Sequence, residues 1–339
     1  MMNCPYCNHE SGAQPNDGLT VCVACMNPFV ITMHGHSAKT TAPAGAQDIR
    51  EMAKPGSIGG EIIKALPKSL SELPVLPEIS QRVMKELREP EMSMQHLAEI
   101  IRQDQAIAIK ILQLANSAMY GGLQEIRDLN AACARLGTRT IANAVQAVAN
   151  GNLYITGNQT FREHMQQLWR HALASAHCSY EIANVLAEPR ADELFVAGLI
   201  HDIGRAVLLD VVANQYRGVL ADLRNSPDLL EEVFESYSPL VGLNVVIKWN
   251  LPPEFRMTTY FLRNAHNVPS EPARVLTNIV ALGEAVAETS GYGLGMNITS
   301  LLGMPAARAL GMTDMKLAIV RTELDDKLAA LLEISSPAA

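Results

Sequence analysis

The sequence predicts an all-α fold preceded by a small, separate cysteine-bearing segment. Three observations predict it. Aromatic residues make up only 5% of the 339, while Ala, Leu, Ile and Met are abundant, the reverse of the β-branched and aromatic enrichment that marks strands. From Ile62 onward, apolar residues recur at three- and four-residue spacing, the period of a helix face. Four of the six cysteines fall within the first 25 residues, ahead of that periodic region. Hydrophobic residues at 48% and charged residues at 18% are enough for a substantial core.

The first element is the cysteine segment, residues 1–30. Cys4, Cys7, Cys22 and Cys25 stand in a C-x2-C-x14-C-x2-C pattern. Each pair presents two thiolates from a tight turn, and two pairs close a tetrahedron around Zn²⁺. A segment this short cannot fold on core burial alone, so a structural metal supplies the stability that is missing. Four thiolates leave no open coordination position, which makes the expected zinc structural and not catalytic. Before Arg50 the only Lys or Arg is Lys39, against Glu10, Asp17 and Asp48. Nucleic-acid binding through this segment is therefore not expected, and the net charge of −8 with scattered basic residues argues the same for the whole chain.

Residues 31–60 include TMHGHSAKTTAPAGAQ, small and polar, which reads as a flexible linker. Helices follow. Ile79, Val83, Met84 and Leu87 share one face, with Pro77 near the start where its missing N–H is harmless. Residues 101–115 carry two adjacent apolar stripes, predicting one helix buried on most sides and stopped near Tyr120–Gly121–Gly122. Further helices are expected at Leu168–Leu186, Glu193–Ile203, Glu231–Trp249 and Arg274–Glu288, with a final amphipathic one at Met315–Leu332. Val275–Ala287 and similar apolar stretches are too short to span a bilayer, and MMNCPYCNHE is not a secretory signal. A cytoplasmic protein is expected, where thiols stay reduced and bind metal.

His201–Asp202 closes the apolar run Leu194–Ile200. His171 shares a stripe with Ala174, Cys178 and Ile182, and Glu284 shares one with Val280 and Ala287, so both side chains point inward. The four groups support two readings. They form a mixed N/O site for a divalent metal such as Fe, Mn or Zn, or a hydrogen-bonded core cluster without one. Spacing alone favours the cluster.

LPVLPEISQRVMKEL (73–87), LAEIIRQDQAIAIKILQLANSAMYG (97–121), LNAACARLGTRTIANAV (129–145), GLIHDIGRAVLL (198–209) and KWNLPPEF (248–255) together resemble an HDOD domain, an output domain related to HD phosphohydrolases. The resemblance implies a helical bundle over 61–152, an HD-like helical bundle over 153–290, and a C-terminal helix and tail over 291–339. It implies a regulatory role in bacterial signal transduction, as a non-catalytic interaction module for a protein partner or a small regulatory ligand. The alternative it carries is a mononuclear HD-type phosphohydrolase or phosphodiesterase acting on a nucleotide or phosphoester.

His171, His201 and Asp202 match the minimal HD set, while Glu284 stands where HD enzymes place their last Asp. Ser238 and Leu262–Arg263 occupy the places of further histidines, and Arg205 replaces the Lys that follows HDIG in the cyclic-dinucleotide phosphodiesterases. Ligands for a second metal are thus missing, and a two-metal hydrolysis is not expected. Gln105 stands where relatives tend to have Pro. Asn116, Ser117 and Tyr120 match a family landmark, for which a local role in shaping a helix end is favoured. Trp249–Asn250–Leu251–Pro252 reads as a packed helix stop.

Overall fold

The computed structural model describes residues 2–3, 10–11, 19–21, 28–31, 37–39, 76–89, 93–122, 124–159, 161–215, 227–322 and 324–335. In chain order, five short strands come first: β1 (Met2–Asn3), β2 (Glu10–Ser11), β3 (Leu19–Val21), β4 (Pro28–Ile31) and β5 (Ser37–Lys39). β1 pairs with β2, and β3, β4 and β5 form a second antiparallel sheet in sequence order. The remaining elements of the described residues are helices: α1 (Glu78–Glu86), α2 (Met94–Arg102), α3 (Gln105–Ala115), α4 (Leu129–Leu136) and α5 (Thr138–Gly151). Then come α6 (Arg162–Val185), α7 (Ala191–Ile200), α8 (Ile203–Gln215), α9 (Pro227–Lys248) and α10 (Pro253–Phe261). The last are α11 (Glu271–Ala287), α12 (Pro305–Ala309), α13 (Asp314–Thr322) and α14 (Leu324–Ser335). The all-α class holds. The chain forms two compact units, one from Pro74–Ile200 with Ile279–Ala339, the other from Met1–Leu73 with His201–Asn278.

The first of these units is built around α6, a 24-residue helix buried along most of its length. α7 closes on it through Gly198, where a Cβ would strike the Ala176 Cα and the Ser175 carbonyl. α1 meets α5 through a buried polar link. The Gln146 Nε2 donates to the Ser80 carbonyl at 2.9 Å, and the Ser80 hydroxyl donates back to the Gln146 Oε1. The Asn150 Nδ2 donates to Ser80 Oγ at 3.2 Å. α14 returns to pack on α3, α5 and α6, and the Lys110 ammonium donates to the Ile334 carbonyl near its C-terminus. Lys110 thus satisfies a carbonyl the helix cannot pair itself.

Two expected helices are each split. Residues 101–115 form the end of α2 and the whole of α3, because the Asp104 carboxylate accepts from the Ile107 N–H at 3.1 Å and caps a new helix. α3 buries one face, Ile107, Ile111, Leu114 and Ala115, and leaves Ile109 52% exposed. The expectation of burial on most sides is corrected accordingly. Likewise 315–332 divides into α13 and α14. Asp104→Ala should lower unfolding stability by about 1 kcal/mol, the usual worth of such a cap, read as a lower urea midpoint at unchanged slope.

The second unit pairs α8 with α9, and α9 with α10. Gly204 sits where a Cβ would collide with the Ser238 carbonyl and approach the Gly242 N–H. The glycine of HDIG is therefore a packing requirement, letting two backbones meet side by side. Leu19 of β3 is fully buried in this unit, in a cluster with Leu243, Met257, Tyr260, Phe261, Val268 and Ala273. β5 lies within residues that the sequence reads as linker.

Candidate functional site

His201 and Asp202 form the turn between the end of α7 and the start of α8, both buried. Within the His201–Asn278 part of the chain, a shallow cleft is lined by His201, Asp202, Arg205, Glu235, Ser238, Thr259, Tyr260, Leu262 and Arg263, with Pro239 completing its wall. Pro239 lies inside α9 and cannot donate to the carbonyl one turn back. The positions that the resemblance marked as lacking histidines, Ser238 and Leu262–Arg263, all line this cleft.

Its chemistry centres on Arg205. The side chain is 4% exposed, and its Nε lies 3.0 Å from Asp202 Oδ2, one turn away on the same helix start. Its other end meets Glu231 Oε1 at 2.8 Å and Glu235 Oε1 at 2.5 Å, and the guanidinium carbon sits 5.4 Å from the Phe234 ring centre. Burial pulls the guanidinium down, but Asp202 and Glu231 outweigh burial and hold it above its usual value. It stays charged, and the Asp202 carboxylate is matched by a cation from its own helix. Glu231 and Glu235 are four apart on α9 and present one face. The sequence carries that spacing, but nothing local assigns the pair to an arginine 26 and 30 residues earlier.

His171 and Glu284 are brought together in the other unit. Their relative exposures are 1% and 2%, and His171 Nε2 lies 3.8 Å from Glu284 Oε1. His171 Nδ1 lies 2.9 Å from the Tyr292 carbonyl. A carbonyl only accepts, so Nδ1 carries the proton of this contact. His171 and Glu284 belong to the unit of Pro74–Ile200 with Ile279–Ala339, and His201 and Asp202 to the unit of Met1–Leu73 with His201–Asn278.

The landmark Asn116 acts as a clamp on its loop. Its Nδ2 donates to the Leu112 carbonyl at 3.0 Å and the Ile126 carbonyl at 2.8 Å, while its Oδ1 accepts from the Ile126 N–H at 2.8 Å. Ser117 Oγ donates to the Leu114 carbonyl at 2.8 Å. Tyr120 follows in the same turn. Cys4, Cys7, Cys22 and Cys25 lie outside the described residues. The two remaining cysteines, Cys133 and Cys178, are buried, and burial pushes both thiols up, away from reactivity.

A predominantly helical fold carries an HD pair, His201–Asp202, where one helix ends and the next begins. The HDOD domain family matches residues 73–265, and the chain belongs to that family. It is similar to an HDOD domain protein of unknown function from Geobacter sulfurreducens, at 23% identity and a TM-score of 0.66, covering 81% of this chain and 98% of that one. A protein from Marinobacter aquaeolei VT8, named as a candidate signal transduction protein, matches at 19% identity and a TM-score of 0.64, over 85% of this chain and 69% of that one. A candidate metal-dependent phosphohydrolase from Shewanella amazonensis SB2B matches at 23% identity and 0.56, over 80% and 98%. An uncharacterized protein of Treponema pallidum (strain Nichols) is 21% identical over 225 residues, 65% of this chain. The chain spans 43% of that relative's length. No helix of the described residues is long and apolar enough to cross a membrane.

Proposed function

We propose that this chain is a regulatory protein of bacterial signal transduction, whose HDOD domain works as a non-catalytic interaction module. The observation that carries this reading is Arg205, a buried guanidinium ion-paired to Asp202 at 3.0 Å. In an HD hydrolase that aspartate holds a metal. Here a permanent cation from the next helical turn already balances its charge, and Arg263 adds a second positive group to the same cleft. A divalent metal on His201 and Asp202 fits these residues poorly, because it would have to displace or sit beside two arginines. Of the possible ligands, a protein partner suits the role best, with a small regulatory ligand in the cleft as a second kind of input. The acidic balance of the chain counts against nucleic acid.

The alternative, a mononuclear phosphohydrolase, draws on one specific observation. His171 Nδ1 is held by the Tyr292 carbonyl and its Nε2 lies 3.8 Å from Glu284 Oε1, and a carbonyl on the far ring nitrogen is the second-shell arrangement of metal-binding histidines. Turnover separates the two readings. The wild-type chain supplied with Mn²⁺, Fe²⁺ or Mg²⁺ should hydrolyse nucleotides, cyclic dinucleotides and generic phosphoesters no faster than background. Hydrolysis that disappears in a folded Asp202→Ala chain would establish the phosphohydrolase instead.

The four N-terminal cysteines we read as a closed structural zinc site, supported by their paired spacing, and the reducing cytoplasm as the place where such thiolates persist. Purified chain should carry one zinc, released by changing Cys4 and Cys25 together to Ser while cooperative melting of the helices remains. Zinc content unchanged by that double substitution would remove this part of the reading.

A further inference from the structure

We infer that β3 is an intramolecular latch, with Leu19 seated in an α9–α10 socket that shares a wall with the HDIG cleft. Leu19 is 0% exposed although it belongs to a three-residue strand. Its surroundings are helical: Leu243 from α9, Met257, Tyr260 and Phe261 from α10, and Val268 and Ala273 just beyond. Ile247, one turn after Leu243, packs against the same cluster. A leucine in such a place removes a large apolar area from water, so its seat is a substantial stabilising contact and not an incidental touch.

Two features turn this contact into a coupling. The strand is hydrogen-bonded to β4 in a defined register, with Leu19 opposite Val30, and β4 to β5, so holding Leu19 holds the sheet. On the other side, Tyr260 belongs both to the socket and to the lining of the cleft that contains His201, Asp202 and Arg205. Any ligand or partner that shifts Tyr260 therefore shifts the free energy of seating Leu19. By linkage the reverse holds as well: release of β3 changes the energy of that cleft wall. The inference goes beyond the interaction-module reading, since the latch exists whether the cleft binds a partner or hydrolyses a phosphoester.

Hydrogen exchange on the full chain tests it. Leu19→Ala should raise exchange across Met257–Val268 and along β3 and β4 by about tenfold or more, the scale expected for truncating a buried leucine, and leave α3 in the other unit at its wild-type rate. Leu19→Asp should do the same more strongly, with Leu19→Ala carrying the test if the aspartate variant fails to fold. In the reverse direction, Tyr260→Ala should raise exchange in β3. Wild-type exchange at Met257–Val268 in Leu19→Ala would overturn the latch, as would a rise spread equally over α3. Either result leaves the turnover assay of the previous section to decide catalysis independently.

Discussion

Arg205→Met should destabilise the folded chain by roughly 3–5 kcal/mol, the scale measured when one partner of a buried ion pair is removed. The loss is assigned to Asp202. Glu231 and Glu235 are nearly half exposed, and water screens them once the guanidinium is gone, so their share is small. Asp202 is buried and would keep an uncompensated charge. Arg205→Lys should fall between, since an ammonium restores charge but cannot reach three carboxylates as a planar fork does. The assignment has its own check in urea denaturation. Placed in an Asp202→Asn background, Arg205→Met should lose most of its effect, because no buried carboxylate remains to be stranded. An undiminished loss in that background would move the origin of the effect to packing against Phe234.

Gly204→Ala should lower stability by about 2 kcal/mol or more, and Gly204→Val by still more, both read as depressed melting temperatures. Helix propensity works in the opposite sense, favouring Ala over Gly by about 1 kcal/mol inside a helix. Sterics decide the sign. An added methyl would overlap the backbone carbonyl of Ser238, and backbone cannot rotate away as a side-chain tip does, so α8 and α9 must separate. That separation opens the cleft, which Arg205 of α8 and Glu235 of α9 both line. An alanine variant as stable as wild type would mean that the two helices slide past each other freely.

Much of this fold was legible in the residues. The apolar run ending in His201–Asp202 announces a buried helix stop, and the stripe through His171, Ala174, Cys178 and Ile182 announces an inward-facing imidazole; all four are buried. The division at Asp104 was less legible, because the apolar period runs through it while the cap is a single hydrogen bond to Ile107. Arg205 was visible as a departure from the phosphodiesterase pattern, but its role was not. Periodicity reports which face of a helix is buried, and says nothing about which distant carboxylates converge on a cation. Leu19 was hidden for a related reason: a three-residue strand is too short to carry a period, so only tertiary structure supplies its socket.

The most direct measurement of the central claim is metal content that depends on Asp202. The full chain and its Asp202→Ala variant would be equilibrated with Mn²⁺ or Fe²⁺, freed of unbound ion by gel filtration, and analysed for metal per chain. With Arg205 as the cation of the HD pair, the two chains should retain the same Mn and Fe, close to none. A stoichiometric Mn or Fe ion held by the wild-type chain and lost from folded Asp202→Ala would contradict the account.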